Sequence, residues 1–173
     1  MCIRDRVVPA RWSSFTTTSA SLALTPGQTL CFSVRATNRA GQVGPWSPAR
    51  CTARALDQTA ATTVSRTWRL TTAPVLLGGT ALTTTKRLST WSLANVTTDR
   101  VGIVASRCAT CGSVNIFIGR TLVGTIDLQA PVTSYQNLIL LPRFATRSGQ
   151  LSIVVRSADG RTVQLDGVVA SVA

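Results

Sequence analysis

Apolar residues in this chain recur at every second position in short runs, and no long stretch carries the spacing of a helix. In "TLCFSVRAT", Phe32, Val34 and Ala36 share one face while Cys31, Ser33 and Arg35 share the other. In "SVNIFIG", residues 113–119, Val114, Ile116 and Ile118 line a single side. A period of two is the signature of a β-strand with one buried face. Thr, Val, Ala, Ser and Gly dominate the remainder, so the expected class is all-β. At 173 residues there is room for one large domain or two small ones, each with its own core.

Charge narrows the chemistry. The chain has 18 basic residues against 6 acidic ones and no histidine, for a net charge of +12. Without imidazole there is no Ser/His or Cys/His pair and no side chain that titrates unperturbed near neutral pH. General acid/base work would fall to Asp5, Asp57, Asp99, Asp127, Asp159 and Asp166, which the sequence scatters one at a time. No enzyme activity, metal or cofactor is expected. Positions 1–63 carry seven arginines and two aspartates, and positions 64–173 carry eleven basic and four acidic residues, without a basic run. That spread speaks against specific nucleic-acid binding. An anionic-polymer binder would instead need Arg66, Arg69, Arg87, Arg100, Arg107, Arg120, Arg143, Arg147, Arg156 and Arg161 on one face. No apolar run reaches the length of a membrane span, so no membrane insertion is expected.

The first half reads as a hairpin. Pro26-Gly27 marks a turn, "NRAGQVGP" a loop, and "WSPARCTARAL" a returning strand. Folding about Gly41 places Cys31 and Cys51 at equal distances from the tip, opposite one another on neighbouring strands. A disulfide fits that separation and contributes on the order of 3 kcal/mol through loop closure.

"LTPGQTLCFSVRATNRAGQVGPWSPARCTA" resembles the last three strands of a fibronectin type III domain of secreted bacterial proteins, with Leu30 in place of the usual aromatic. Such a sandwich takes about seven strands and roughly 100 residues, so residues 7–56 are expected to be a truncated domain. Residues 1–6, "MCIRDR", resemble translated sequencing-adapter read-through, which leaves Cys2 without a role. The polar segment 57–63 reads as a linker.

From residue 64 to 173 short strands follow one another: "WRLTT", "TALTTTKRLSTWSLANV", "RVGIVASR", "SVNIFIG", "TLVGTIDL", "SYQNLILLP", "GQLSIVVRS" and "TVQLDGVVASV". Their number and spacing predict an antiparallel sandwich or jelly roll, with "SADGR" as a hairpin turn. Trp68 with "LLGGT", then "CGSVNIFIGRTLVGTIDL", then "GQLSIVVRSADGRTVQLDGVVAS" resemble galactose-binding-like modules found beside fibronectin repeats in secreted bacterial proteins. The resemblance implies a non-catalytic extracellular module that binds polysaccharide or cell-wall glycan. The alternatives are a structural spacer beside neighbouring domains of the same polypeptide, and an anionic-polymer binder acting through surface arginines.

Cys108-Ala-Thr-Cys111 is the remaining motif. A zinc site needs four ligands, and no second close pair or histidine exists. A thioredoxin-type site needs a helix after the first cysteine, and here a strand follows. A disulfide stapling the loop is left, contributing roughly 2 kcal/mol at most. For sugar stacking the candidates are Tyr135, Trp68 and Trp91. Trp91 shares the parity of Leu93 and Trp68 opens the domain, so both are expected in the core, with Tyr135 the least buried.

Overall fold

The computed structural model describes residues 19 and 21–172. The adapter-like segment 1–6, with Cys2, and the opening of the fibronectin-like stretch lie outside the described residues. Apart from single 3-10 turns at Gln58–Ala60 and Leu77–Gly79, every regular element described is a strand. Among the described residues no helix is long and apolar enough to cross a membrane.

The hairpin and its disulfide form, but the tip closes about residue 40 rather than Gly41, with Thr37 bridging Val43, and the register shifts before the Cys31–Cys51 pair. Gly27, at φ 80°, completes a turn in which the Gln28 N–H donates to the Thr25 carbonyl at 3.0 Å. A residue with a side chain is strained there, which is why glycine follows Pro26. Strands β1 (Thr29–Phe32) and β2 (Arg50–Ala53) pair antiparallel, with Cys31 opposite Cys51 and bonded to it. At the tip the Asn38 side chain accepts from the Gln42 N–H at 2.9 Å, and the Arg35 guanidinium lies 4.6 Å over the Trp46 ring. Phe32, Val34 and Val43 are exposed.

The rest is a two-sheet sandwich. One sheet runs β10-β9-β12-β7-β4, formed by Thr121–Asp127, Ser113–Ile118, Arg147–Val155, Thr90–Thr98 and Thr63–Val64. The other runs β11-β8-β13-β6-β5, formed by Ser134–Leu140, Arg100–Arg107, Val163–Ser171, Thr80–Thr84 and Arg69–Thr72. The short strand β3 (Leu56–Asp57) joins this second sheet alongside β13. Alternation decides which residues go inward. Val114, Ile116 and Ile118 of β9 meet Leu151, Ile153 and Val155 of β12 across one inner face, and Val101, Ile103, Val163 and Leu165 supply the other. Trp91 is wholly buried at the centre, and its indole N–H donates to the Gln58 carbonyl at 2.8 Å.

Three further expectations are corrected. Residues 57–63 are no free linker: Asp57 pairs with Gly167, Gln58 is fully buried and Thr63 pairs with Ser92. Polarity misled, because Asp57 and Gln58 bond within the fold. "TALTTTKRLSTWSLANV" is two strands in different sheets, broken at Lys86–Ser89, with Leu88 at φ 62°. "SADGR" turns as expected at Gly160, φ 90°, yet it links β12 to β13 across sheets rather than closing a hairpin. Most connections from β6 to β13 cross in this way, as in a jelly roll, and β9–β10 is the exception. The loops are therefore gathered at the two ends of the sandwich.

Candidate ligand-binding surface

At one end the cysteine loop crosses from β8 to β9, and Cys108 is bonded to Cys111. The staple is knitted to both neighbouring crossings. The Cys108 N–H donates to the Leu128 carbonyl at 3.2 Å, and the Gly112 N–H to the Thr162 carbonyl at 2.8 Å. A side chain at Gly112 would collide with Ser157, so the loops close onto each other here without room for a Cβ. Between them lies a shallow cleft lined by Ala109, Thr110, Gln129, Asp159, Gly160 and Arg161. Asp159 accepts from the Arg87 N–H at 2.7 Å and from Lys86 Nζ at 3.2 Å. The Arg87 N–H, followed by the Lys86 ammonium, holds its carboxyl below the ordinary range.

Beside this end sits Tyr135. Ser134 pairs with Arg107 and Asn137 with Ala105, so Tyr135 and Gln136 together oppose Ser106 in a β-bulge. Gln136 is at φ 53°, an uncommon state for a residue with a side chain, and its amide donates to the Val75 carbonyl at 2.9 Å. Tyr135 is 48% exposed. Facing away from the core, a polar ladder runs from Ser106 across the sheet. Ser106 Oγ donates to Gln164 Oε1, Gln164 Nε2 to Thr83 Oγ1 at 3.1 Å, and Thr71 Oγ1 to the same Thr83 oxygen at 3.0 Å. Thr71, Thr83 and Gln164 are each partly open to solvent. A surface aromatic residue whose strand opposes the head of a row of hydroxyl and amide groups offers stacking and hydrogen bonding together, the pairing that polyhydroxylated ligands require.

Of the aromatic candidates, the structure brings only Tyr135 to the surface. Trp68 and Trp91 are buried with their indole N–H groups on the Thr90 and Gln58 carbonyls, so neither presents a ring for stacking. Sequence reasoning missed Ser106, Gln164, Thr83 and Thr71, because a row that spans four strands has no spacing along the chain.

It also missed an acidic pair, one member of it buried. The β13 bulge leaves Asp166 as an extra residue next to Gly167, and Gly167 pairs with Asp57. Asp166 is 0% exposed and neither carboxylate oxygen has a partner in hydrogen-bond geometry. Burial raises its pKa, the Leu77 N–H partly offsets this, and the Asp57 charge adds to it. Turned so that its nitrogen faces Asp57, the Gln58 carboxamide donates there at 3.1 and 3.2 Å and to the Asp166 carbonyl at 2.7 Å. That satisfies Gln58 and leaves the Asp166 carboxylate with only the Leu77 N–H near it, outside hydrogen-bond geometry. Among the described residues no group of three His, Cys, Asp or Glu side chains gathers around a metal position. A carboxyl sealed from solvent also cannot reach a glycosidic bond, so this pair is no hydrolytic couple.

The sandwich is shared with sugar-binding modules of known structure. Over 69% of this chain and 93% of its own, the CsCBM6-3 module from Clostridium stercorarium, solved in complex with cellobiose, superposes with a TM-score of 0.51 at 14% identity. A β-1,3-glucan binding family 6 module from Bacillus halodurans gives 0.52 at 12% identity, over 69% of this chain and 96% of that one. A family 6 carbohydrate-binding module from Clostridium cellulolyticum, in complex with xylose, gives 0.51 at 16%, over 68% and 96%. At these identities the likeness establishes the all-β sandwich fold. No protein-family profile and no curated sequence matches the chain.

Proposed function

We propose that this chain is a non-catalytic carbohydrate-binding module of a secreted bacterial protein, and that it holds polysaccharide at the Tyr135 bulge. The observation that carries this is the half-exposed Tyr135, whose strand opposes the head of the Ser106–Gln164–Thr83–Thr71 ladder. The sandwich fold it shares with sugar-binding modules supports it, as do the two disulfides, which persist in oxidising compartments. Within this reading the hairpin of residues 21–55 is the closing part of a fibronectin type III-like sandwich, a spacer to neighbouring domains. Isothermal titration against soluble xylan, β-1,3-glucan, cello-oligosaccharides and polygalacturonate tests the function. Binding to at least one is expected, and Tyr135→Ala should weaken it by about 2 kcal/mol, roughly thirtyfold. Silence across the panel in the wild-type chain would leave only the spacer role.

A second reading rests on the orphaned Asp166 carboxylate. We propose that the Asp57 and Asp166 carboxylates hold a hard divalent cation, calcium by their all-oxygen character. Bound there, the cation would supply the positive charge that the buried Asp166 carboxylate lacks and would lock β3 against β13. Its role would be structural, remote from sugar.

A further inference from the structure

The arginines do not share one face, and they are not evenly spread either. Arg107 closes β8, Arg156 follows β12 and Arg161 precedes β13, all at the end that carries the disulfide loop. Hydrogen bonds tie these segments together: Arg156 N–H to the Ser113 carbonyl at 2.9 Å, and Gly160 N–H to the Thr85 carbonyl at 2.9 Å, next to Lys86 and Arg87. Arg66 and Arg69 flank the same end, where Thr67 Oγ1 lies 2.7 Å from Ser89 Oγ. Against these seven cations the described residues set Asp127 and Asp159, and Asp159 is already engaged by Lys86. The opposite end carries Arg100, Arg120, Arg143 and Arg147, with Asp99 paired to Arg143 at 3.2 Å.

Two of the guanidiniums border the cleft itself. Arg107 Nη2 donates to the Gln129 carbonyl at 3.1 Å, and Arg161 Nη1 to the Ala109 carbonyl at 3.4 Å. Neutral carbonyls fix these side chains in place without cancelling their charge, and each guanidinium keeps further N–H donors. Arg107 Nε, like Arg100 Nε at the far end, is buried without an acceptor. A fixed planar fork beside an open cleft is the arrangement that recognises carboxylate or sulfate oxygens in pairs. Arg107 also pairs in register with Ser134, the residue before Tyr135. The cationic end and the stacking ring therefore lie within reach of one extended ligand.

We propose that the polysaccharide this module takes is acidic, with its carboxylate or sulfate groups read by Arg107 and Arg161 at the disulfide-stapled cleft. This rests on the carbohydrate-binding reading and names its ligand class. The test uses the full chain in titrations with polygalacturonate, its fully methyl-esterified form, dextran sulfate and single-stranded DNA. Polygalacturonate or dextran sulfate should bind at least tenfold tighter than the methyl ester and tighter than DNA of equal charge. Affinity should fall severalfold between 50 and 200 mM salt. R107Q/R161Q should lower it about tenfold, while R120Q/R147Q at the far end leaves it within twofold. Equal affinity for the methyl ester would overturn this inference and leave a neutral-glycan module intact. DNA binding as tightly as either acidic glycan, or equal loss in the two double variants, would overturn it in favour of diffuse charge attraction. Loss of all glycan binding would remove the carbohydrate reading as well.

Discussion

The hairpin and the sandwich are held together by different means. In the hairpin β1 and β2 are four residues each, Phe32 and Val34 face solvent, and the Cys31–Cys51 bond joins the strands at directly opposed positions. In the sandwich Trp91, Ile103, Ile116, Leu151 and Ile153 are sealed from water in one continuous cluster, and the Cys108–Cys111 bond spans three residues at the rim. The same covalent bond thus carries one region and only trims a loop in the other. An isolated two-stranded hairpin is marginal in water, whereas a two-layer core of this kind is self-supporting.

Trp91→Ala breaks the comparison most severely. Removing the central ring and its bond to Gln58 should cost about 3–5 kcal/mol. The melting temperature by circular dichroism should fall sharply while the Cys31–Cys51 bond stays formed; an unchanged melting temperature would mean that the core does not turn on Trp91. The disulfides come next. Cys31→Ser/Cys51→Ser should remove on the order of 3 kcal/mol locally, seen as rapid amide exchange over residues 28–54 with the sandwich transition unmoved. Cys108→Ser/Cys111→Ser should lower the sandwich transition by about 2 kcal/mol or less. If the two pairs of variants behave alike, the contrast between the regions is wrong. The smallest effect sharpens the junction. A carboxylate whose folded pKa is raised contributes stability below its unfolded pKa, and that contribution is lost as pH rises through the folded value. In chelator at neutral pH, Asp166→Asn should therefore gain about 1–2 kcal/mol, the ordinary cost of an unpaired buried polar group. Calcium should raise the melting temperature of the wild-type chain and not of the variant. A variant that still responds to calcium would remove Asp166 from the cation site.

The two regions also differ in how openly the sequence declared them. Equal spacing about Gly41 pairs Cys31 with Cys51, although the tip itself closes about residue 40, a register shift that parity does not reveal. Parity in "SVNIFIG" placed Val114, Ile116 and Ile118 inward, and parity with Leu93 kept Trp91 in the core. What could not be read was partnership between distant strands. Asp57 meets Asp166 only because β3 docks on β13, and Gln164 meets Ser106 and Thr83 only because β13 lies between β8 and β6. Even the Asp159-Gly160 turn was recognised as a turn but not as a crossing, since the two-residue geometry is local and the sheet each strand joins is not.

The pairing of Leu56 and Asp57 with β13 has a mechanical meaning. A module gripping an immobile polymer at the disulfide-stapled end, and pulled from the hairpin side, would carry its load through β3. Tension would have to strip that two-residue strand from the middle of the sheet before reaching Trp91. The short ladder would then yield first, as a fuse that spares the core, and a bound cation between Asp57 and Asp166 would set the force at which it gives way.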